Sequence, residues 1–412
     1  MISLELLRSN FAEIKRALNR KEPKFDVDQL AALDKSVRAI NQEVEELRKT
    51  KNDLAAQAKS GLTDQLRARS VEVGQTLKNK EAELEVVQQA FRKLYLECPN
   101  IPEAIVPDGN KESNLPVKTF GVKPTFDFEI KNHVELNKKL NWFDFEAAVR
   151  MTGSRFVFYQ NEAVDLVYAL TMFMLKNNRK HGFSPFIPPF VVNELSLETA
   201  SNFPKFRDQV YEIGADGLYL TPTAEVNLTN LYRDHIFSNA SELPKRMTAW
   251  TSCFRREAGT YGTTEQGLIR IHQFEKVELY TICEPKDSSE ELDRMLACAE
   301  DILQQLGLHY RVSLLAAQDC SFASAKTFDI EVWMPGQGAY YEVSSCSNCT
   351  DFQSRRGKIR YRDQENKTIL AHTLNCSSLA LPRLIVALME TYQQPDGTIA
   401  IPEVLKKEGL WS

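Results

Sequence analysis

The chain has 412 residues, 43% hydrophobic and 26% charged, which is long enough for two domains and ordinary for a globular protein. Its net charge of −5 excludes a uniformly basic nucleic-acid binder, so any RNA contact must come from a local patch. No apolar run approaches the roughly 20 residues that cross a bilayer, and the best, around 166–175, is too short, so no membrane association is expected.

The start, Met1-Ile-Ser-Leu-Glu-Leu-Leu-Arg8, has no basic leader ahead of an apolar core. The eight cysteines are scattered rather than grouped as a framework, which fits a reducing compartment and predicts a cytoplasmic location. Two heptad runs then fill the N-terminal quarter. Leu30, Leu33, Val37, Ile40, Val44, Leu47, Lys51, Leu54 and Ala58 recur in steps of three and four, as do Leu66, Ser70, Val73, Leu77, Lys80, Leu84, Val87, Phe91, Leu94 and Cys98. That spacing is a coiled-coil seam. Between the runs, Ser60-Gly-Leu-Thr63-Asp64 supplies a helix-ending glycine and a capping candidate. So short a break predicts an antiparallel hairpin with arms near 28–59 and 63–98. Its distal half collects Arg48, Lys49, Lys51, Lys59, Arg67, Arg69, Lys78 and Lys80 against Asp53, Asp64 and Glu72. Such a tip is either a solvated coil with a charge excess or a surface for phosphates.

A proline- and glycine-punctuated stretch, 101–125, reads as a linker after an N-terminal domain of residues 1–100, with a second domain over 126–412. In that domain Asn161–His181 reads as an amphipathic helix. Pro185–Val192 reads as an extended segment at an edge or interface, because a central strand does not tolerate such prolines. Lys326–Met334 and Ala339–Ser345 read as paired strands around Pro335-Gly-Gln-Gly338. Cys346-x-x-Cys349 lacks two further ligands at suitable spacing, so no zinc is expected.

The most informative stretch is Phe254-Arg-Arg-Glu-Ala-Gly259 followed by Gly267-Leu-Ile-Arg270-Ile-His-Gln-Phe274-Glu-Lys-Val-Glu278. It reads as two strands joined by a polar loop. Alternation puts Arg270, Phe274 and Glu278 on one face of the second strand, and Ile269, Ile271, Val277 and Leu279 on the other. Arg255 and Glu257 add charge at the end of the first. A cation, an aromatic plate and a carboxylate in a row suit a ligand with phosphates, a flat base and an ammonium, such as an amino acid activated on AMP. Each residue alone could be an ordinary charge on a solvated sheet face; the combination could not.

This stretch resembles the second signature motif of class II aminoacyl-tRNA synthetases in its seryl-tRNA synthetase form. Thr221-Pro-Thr-Ala-Glu-Val226, Tyr341-Glu-Val-Ser-Ser-Cys-Ser-Asn348 with Asp351-Phe-Gln353, and His372-Thr-Leu-Asn375 match that family in the same order, and the resemblance spans essentially the whole chain. It implies an α+β fold: an antiparallel catalytic sheet flanked by helices, preceded by a helical hairpin that grips tRNA. It also implies a homodimer formed through the helix and strand near 161–192, with tRNA bound across the two subunits, and the partners ATP, L-serine and tRNA(Ser), with tRNA(Sec) a further candidate acceptor.

The resemblance implies roles residue by residue. Arg255 and Arg383 would be catalytic, holding phosphate charge. Arg256, Glu257, Arg270, Phe274, Glu342, Val343, Ser344 and Ser345 would complete the ATP site, with Phe274 stacked on adenine. Glu342 and Ser345 would hold Mg²⁺ with ATP, as a hard cation prefers oxygen. Thr223, Ala224, Glu225, Glu278, Asn375 and Ser377 would surround serine. Glu278 is expected at the hydroxyl with Ser377, and Glu225 near the ammonium. Lys49, Lys51, Arg67 and Arg69 would meet tRNA. Because residues 342 and 345 face opposite sides of an ideal strand, a bulge is expected near Ser344. The substrate carboxylate is already ionised, so none of the six histidines is needed as a base, and His272 is expected to orient or pack. Two positions depart from the family pattern. Cys376 stands where a glycine is usual, which would be strained at positive φ, and the loop 260–266 lacks the arginines that relatives carry. Two rival readings are a catalytically silent RNA-binding paralogue and an amino-acid:carrier-protein ligase. The retained charged set opposes the first, and the intact hairpin opposes the second.

Overall fold

The computed structural model describes residues 1–59, 61, 63–258 and 267–409. Residues 60, 62 and 260–266, and the readings made on them, lie outside the described residues. Two compact units emerge, Ile2–Pro99 and a second of Asn100–Ser412 joined by Met1.

In the first unit, helices α1 (Leu4–Ser9) and α2 (Phe11–Lys21) precede the long helices α3 (Val27–Ala58) and α4 (Asp64–Leu96). The heptads make an antiparallel pair. Ile40, Val44, Leu77 and Leu84 are buried in its seam, with Val37, Leu47 and Val87 packed against them. Each arm is about 48 Å long at 1.5 Å per residue. Both starts are capped, Asp26 accepting from the Gln29 N–H at 2.8 Å and Thr63 from the Leu66 N–H at 3.2 Å. A polar tie absent from the heptad pattern fastens α1 to α3. Buried Asp34 accepts from Arg8 Nε and Nη2 at 2.8 and 2.6 Å and from Arg38 Nε at 3.1 Å. The Arg8 hydrogen bonds hold its carboxyl below the usual range. Lys49, Lys51, Arg67 and Arg69 are exposed. Arg48 pairs with Glu45 and Glu81, and Lys80 with Glu43 and Glu83. Those two cations serve the hairpin itself, and the patch that can meet a polyanion is narrower than composition implied.

The second unit is built on an eight-stranded sheet. Its strands are β1 (Leu115–Phe120), β2 (Ser184–Phe186), β3 (Lys245–Phe254), β4 (Gln273–Cys283), β5 (Tyr310–Leu314), β6 (Lys326–Met334), β7 (Ala339–Thr350) and β8 (His372–Ala380). They lie in the order β1-β5-β6-β7-β8-β4-β3-β2, antiparallel except for β2 beside β3. Residues 101–125, expected as a linker, therefore contribute an edge strand of this sheet. The short strand β2, expected as an extended edge segment, lies at the other edge. Val277 and Leu279 of β4 join a core with the helices Glu162–Lys180, Ser288–Gln305 and Leu381–Thr391, while Tyr280 and Ile282 enter a second core on the opposite face. The sheet is thus covered on both sides at its centre. The polar row foreseen on β4 occupies only the stretch 274–278, where the second face opens into a cavity.

Three local features adjust the sequence expectations. Gly267–Ile269 is a short 3₁₀ turn, so Arg270 precedes β4 rather than standing on it. Gly267 itself has φ +64°, and a Cβ there would collide with the His133 ring, whose Nε2 accepts from the Leu268 N–H at 3.2 Å. On β7, Ile330 pairs with Ser344 and Glu331 with Glu342, so Val343 is the extra residue of a bulge. Between β4 and β8 the register shifts at Lys276–Glu278, opposite Ala380 and Ser377, and the β8 residue at positive φ is Leu379 (76°), not Cys376. Cys376 sits in regular strand opposite Cys346, to which it is joined by a disulfide; the other six cysteines are buried and free. The glycine that is usual at 376 is therefore not needed for φ here. Among the described residues no helix is long and apolar enough to cross a membrane.

Candidate active site

A cavity of about 430 Å³ opens where the carboxyl-terminal part of β3, the start of β4, the middle of β7 and the end of β8 converge. The helix Ala224–Leu231 closes one end of it and the first turn of Leu381–Thr391 the other. Its lining among the described residues includes Thr223, Glu225, Arg255, Glu257, Arg270, Phe274, Glu278, Glu342, Val343, Ser345, Asn375, Ser377 and Arg383. Segments separated by up to 160 positions are brought together as the motifs required.

The deep end is a compact acidic pocket. Thr223 caps the helix Ala224–Leu231, accepting from the Glu225 N–H at 3.3 Å. The same hydroxyl donates to Glu278 Oε2 at 3.2 Å and accepts from Lys276 Nζ at 2.8 Å. Glu278, 2% exposed, also takes Lys276 Nζ at 2.5 Å and the Ser377 hydroxyl at 3.5 Å on Oε2. Glu225 Oε1 accepts from Gln353 Nε2 at 2.7 Å and Asn375 Nδ2 at 3.1 Å. Gln353 cannot turn away, since its Oε1 accepts from Tyr280 Oη at 3.0 Å and Thr373 Oγ1 at 2.8 Å. Burial, reinforced by the charge of Glu278, pushes the Glu225 carboxyl up to about 7. Two carboxylates forced together out of water call for a cationic ligand.

The shallow end carries cations and an aromatic plate. The Arg255 guanidinium lies 5.3 Å from the Phe274 ring centroid, and its Nε donates to the Pro222 carbonyl at 3.3 Å. His272 Nδ1 donates to the Arg255 carbonyl at 2.9 Å, which holds the arginine's backbone and gives this histidine the orienting role expected of it. Arg270 Nη2 pairs with Glu257 Oε2 at 2.6 Å. Arg383 Nη1 donates to the Glu342 carbonyl at 2.7 Å, and its Nε to the Ile269 carbonyl at 3.2 Å. All three arginines are anchored at the cavity wall, Arg255 and Arg383 by carbonyls and Arg270 by Glu257.

Through the β7 bulge, Glu342 and Ser345 line the cavity together. Across from Ser345 stands Asp329, whose carboxyl is pushed well above the ordinary range by burial and then by Glu342. Its Oδ1 is a buried oxygen without a hydrogen-bond partner. Glu342 and Ser345 are oxygen donors of the kind a hard divalent cation takes, but among the described residues no group of three or more His, Cys, Asp or Glu side chains forms a metal site.

Three candidates do not line the cavity. The Ser344 hydroxyl points away, donating to the Ser377 carbonyl at 2.5 Å. Ala224 is buried in the helix start, and the Arg256 backbone N–H is tied to the Gln209 carbonyl at 2.9 Å. Conversely, Lys276, Ser347 and Gln353 belong to the site or its support and had no assigned role. Lys276 was legible: the alternation that picked out Phe274 and Glu278 passes through it.

Comparison with known proteins gives the family. A family model for the tRNA synthetase class II core domain (G, H, P, S and T) matches residues 209–392, and one for the seryl-tRNA synthetase N-terminal domain matches residues 1–102. The serine--tRNA ligase of Syntrophobacter fumaroxidans is 44% identical over 98% of both chains, and that of Geobacter sulfurreducens 42% identical over 98% of both. Among solved structures, seryl-tRNA synthetase from Pyrococcus horikoshii complexed with ATP superposes with a TM-score of 0.91 at 35% identity, covering 99% of this chain and 98% of that one.

Proposed function

The chain belongs to the seryl-tRNA synthetase family, and from that premise we propose that it activates L-serine with ATP and esterifies the 3′ end of tRNA(Ser). One observation carries the reading: a single cavity joins a buried carboxylate pair to a wall of arginines around Phe274. The serine carboxylate attacks the α-phosphorus of ATP, the bond to the β-phosphate breaks, and seryl-adenylate and pyrophosphate result. A ribose hydroxyl of the terminal tRNA nucleotide then attacks the acyl carbon and releases AMP.

Arg255 and Arg383 meet the charge that builds on the phosphates, in a wall fixed before the reaction begins. Phe274 offers the adenine a face, and Glu257 meets the adenine end. Glu342 and Ser345 would hold Mg²⁺, which supplies further neutralisation of phosphate charge. At the deep end, Glu225 and Glu278 receive an ammonium and a hydroxyl. Alanine lacks the hydroxyl and would leave a buried acceptor unpaired, which disfavours it by up to about 10⁴-fold. The test is pyrophosphate exchange into ATP with serine, followed by charging of tRNA(Ser). Exchange absent with serine would overturn the activation, and exchange without charging would overturn the transfer.

The proposed division of labour gives tRNA binding to the first unit and both chemical steps to the second. The apolar groove beside β2, lined by Tyr168, Met172, Phe186 and Ile187, supports a homodimer, since Tyr168 is 66% and Ile187 82% exposed in the single chain. For the hairpin, changing Lys49, Lys51, Arg67 and Arg69 together to Ala is expected to weaken tRNA binding and to flatten its salt dependence by up to about 3 in the slope of log affinity against log salt, as fewer counterions are released. Titrations at several salt concentrations check this; an unchanged slope would remove the distal hairpin from the RNA interface.

A further inference from the structure

The acidic pocket contains a cation of its own. Lys276 is 5% exposed, lies on β4 between Phe274 and Glu278, and reaches Glu278 Oε2 at 2.5 Å and Thr223 Oγ1 at 2.8 Å. A buried ammonium is costly unless paired, and here its partner is one of the two carboxylates meant for the substrate. The charges facing this spot can be named. Glu225 comes from the helix Ala224–Leu231, the buried thiol of Cys253 from β3 and Arg255 from just past its end, and Glu278 from β4 itself; β8 contributes the neutral Asn375 and Ser377. Tyr280, further along β4, faces Glu225 as a neutral phenol raised by burial.

Arg255 lies over Phe274 at the shallow end, so with Glu225 and Glu278 both ionised the deep end holds two negative charges and Lys276 one positive. One incoming ammonium makes the set neutral. Without Lys276, a single ammonium would face two buried carboxylates, and one of them would keep a proton. We propose that Lys276 is a positioning and specificity residue: it holds the Glu278 carboxylate in its substrate-facing geometry and sets the charge of the deep pocket so that it takes the single ammonium of a neutral amino acid. The proposal rests on the amino-acid reading of this pocket.

The sign of the pH effect follows from the same count. Serine brings its own proton on the ammonium and needs the Glu225 carboxyl, raised by burial to about 7, to be ionised, so its KM falls as pH rises through that titration. Removing Lys276 takes away a charge that favours ionisation, and the acid limb of kcat/KM for serine moves to higher pH.

The experiment is pyrophosphate exchange by the full-length chain between about pH 6 and pH 8.5, comparing the parent with Lys276→Met and Lys276→Arg. For Lys276→Met the expected result is a KM for serine raised roughly 10²-fold, a KM for ATP changed less than about threefold, and an acid limb moved up by about one pH unit. Lys276→Arg keeps the charge and is expected to leave the limb where the parent has it. A limb in the arginine variant displaced as far as in the methionine variant, or unmoved in both, would overturn the proposal. So would equal losses for serine and ATP, which indicate mere disruption of packing. A parent without serine-dependent exchange would overturn the amino-acid reading and this role together, whereas an active parent with an unshifted methionine variant overturns this role alone.

Discussion

Glu278→Ala is expected to reduce serine-dependent pyrophosphate exchange by roughly 10²–10⁴-fold, with ATP affinity nearly unchanged. The carboxylate is 2% exposed and receives Lys276, Thr223 and Ser377 on one oxygen. Truncation leaves the Lys276 ammonium buried without that counterion and opens a gap where the substrate should be held. Removing one partner of a buried pair costs about 3–5 kcal/mol, and the quoted rate range is that energy at about 1.4 kcal/mol per tenfold. The nucleotide end does not share this residue. Arg255 is held by the Pro222 carbonyl and lies over Phe274, Arg270 is held by Glu257, and Arg383 by the Glu342 and Ile269 carbonyls. Glu278→Gln keeps the shape and one acceptor oxygen but not the charge, and is expected to recover only part of the loss. Exchange kinetics with serine varied, beside a direct ATP-binding titration, separate the two ends. Near-parental serine activation by the alanine variant would remove Glu278 from the amino-acid pocket.

Alternation along β4 was enough to put Phe274 and Glu278 in one cavity, because a strand buried on its odd face has no freedom to slip by one residue. The parity conflict between Glu342 and Ser345 likewise forced a bulge, and the register shows Val343 as its extra residue. The same alternation overreached at Arg270. Nothing in the period says where a strand begins, and Gly267 with its positive φ starts a 3₁₀ turn instead. What pattern reading passed over was the support. Gln353, Asp329 and His133 matter through partners 30 or more positions away or on other elements, and no local spacing announces such contacts.

The linker boundary failed for a related reason. Prolines and glycines between 101 and 125 punctuate the chain, yet Leu115–Phe120 still pairs with Tyr310–Leu314 at the sheet edge, where a proline's missing N–H is tolerated. Heptads were the opposite case. Their steps of three and four act within one element, and the arms foreseen at 28–59 and 63–98 appear as Val27–Ala58 and Asp64–Leu96. Their charges were less legible, since Arg48 and Lys80 had to be discounted once their glutamate partners across the seam were known.

A chain beginning at Asn100 is expected to retain serine-dependent pyrophosphate exchange within about threefold of the parent while losing tRNA charging by roughly 10²-fold or more, the equivalent of about 3 kcal/mol of RNA contact. Every residue of the cavity lies after position 222 among the described residues, and the eight strands beneath it all lie after position 114. The new start is anchored by the second unit itself. Asn100 Nδ2 donates to the Ala323 and Cys349 carbonyls at 2.8 and 2.9 Å, and its backbone N–H to the Phe322 carbonyl at 3.0 Å. The hairpin removed has its own seam of Ile40, Val44, Leu77 and Leu84, so no core residue of the sheet is taken with it. Exchange needs ATP and serine alone; charging needs the tRNA held while its 3′ end enters the cavity, and with the net charge of −5 little of that hold can come from general attraction. Exchange and charging assays on one preparation, shown to be folded by its thermal unfolding, make the comparison. Loss of exchange in a folded truncated chain would mean that activation depends on the first unit, and undiminished charging would mean that the hairpin is not what holds the tRNA.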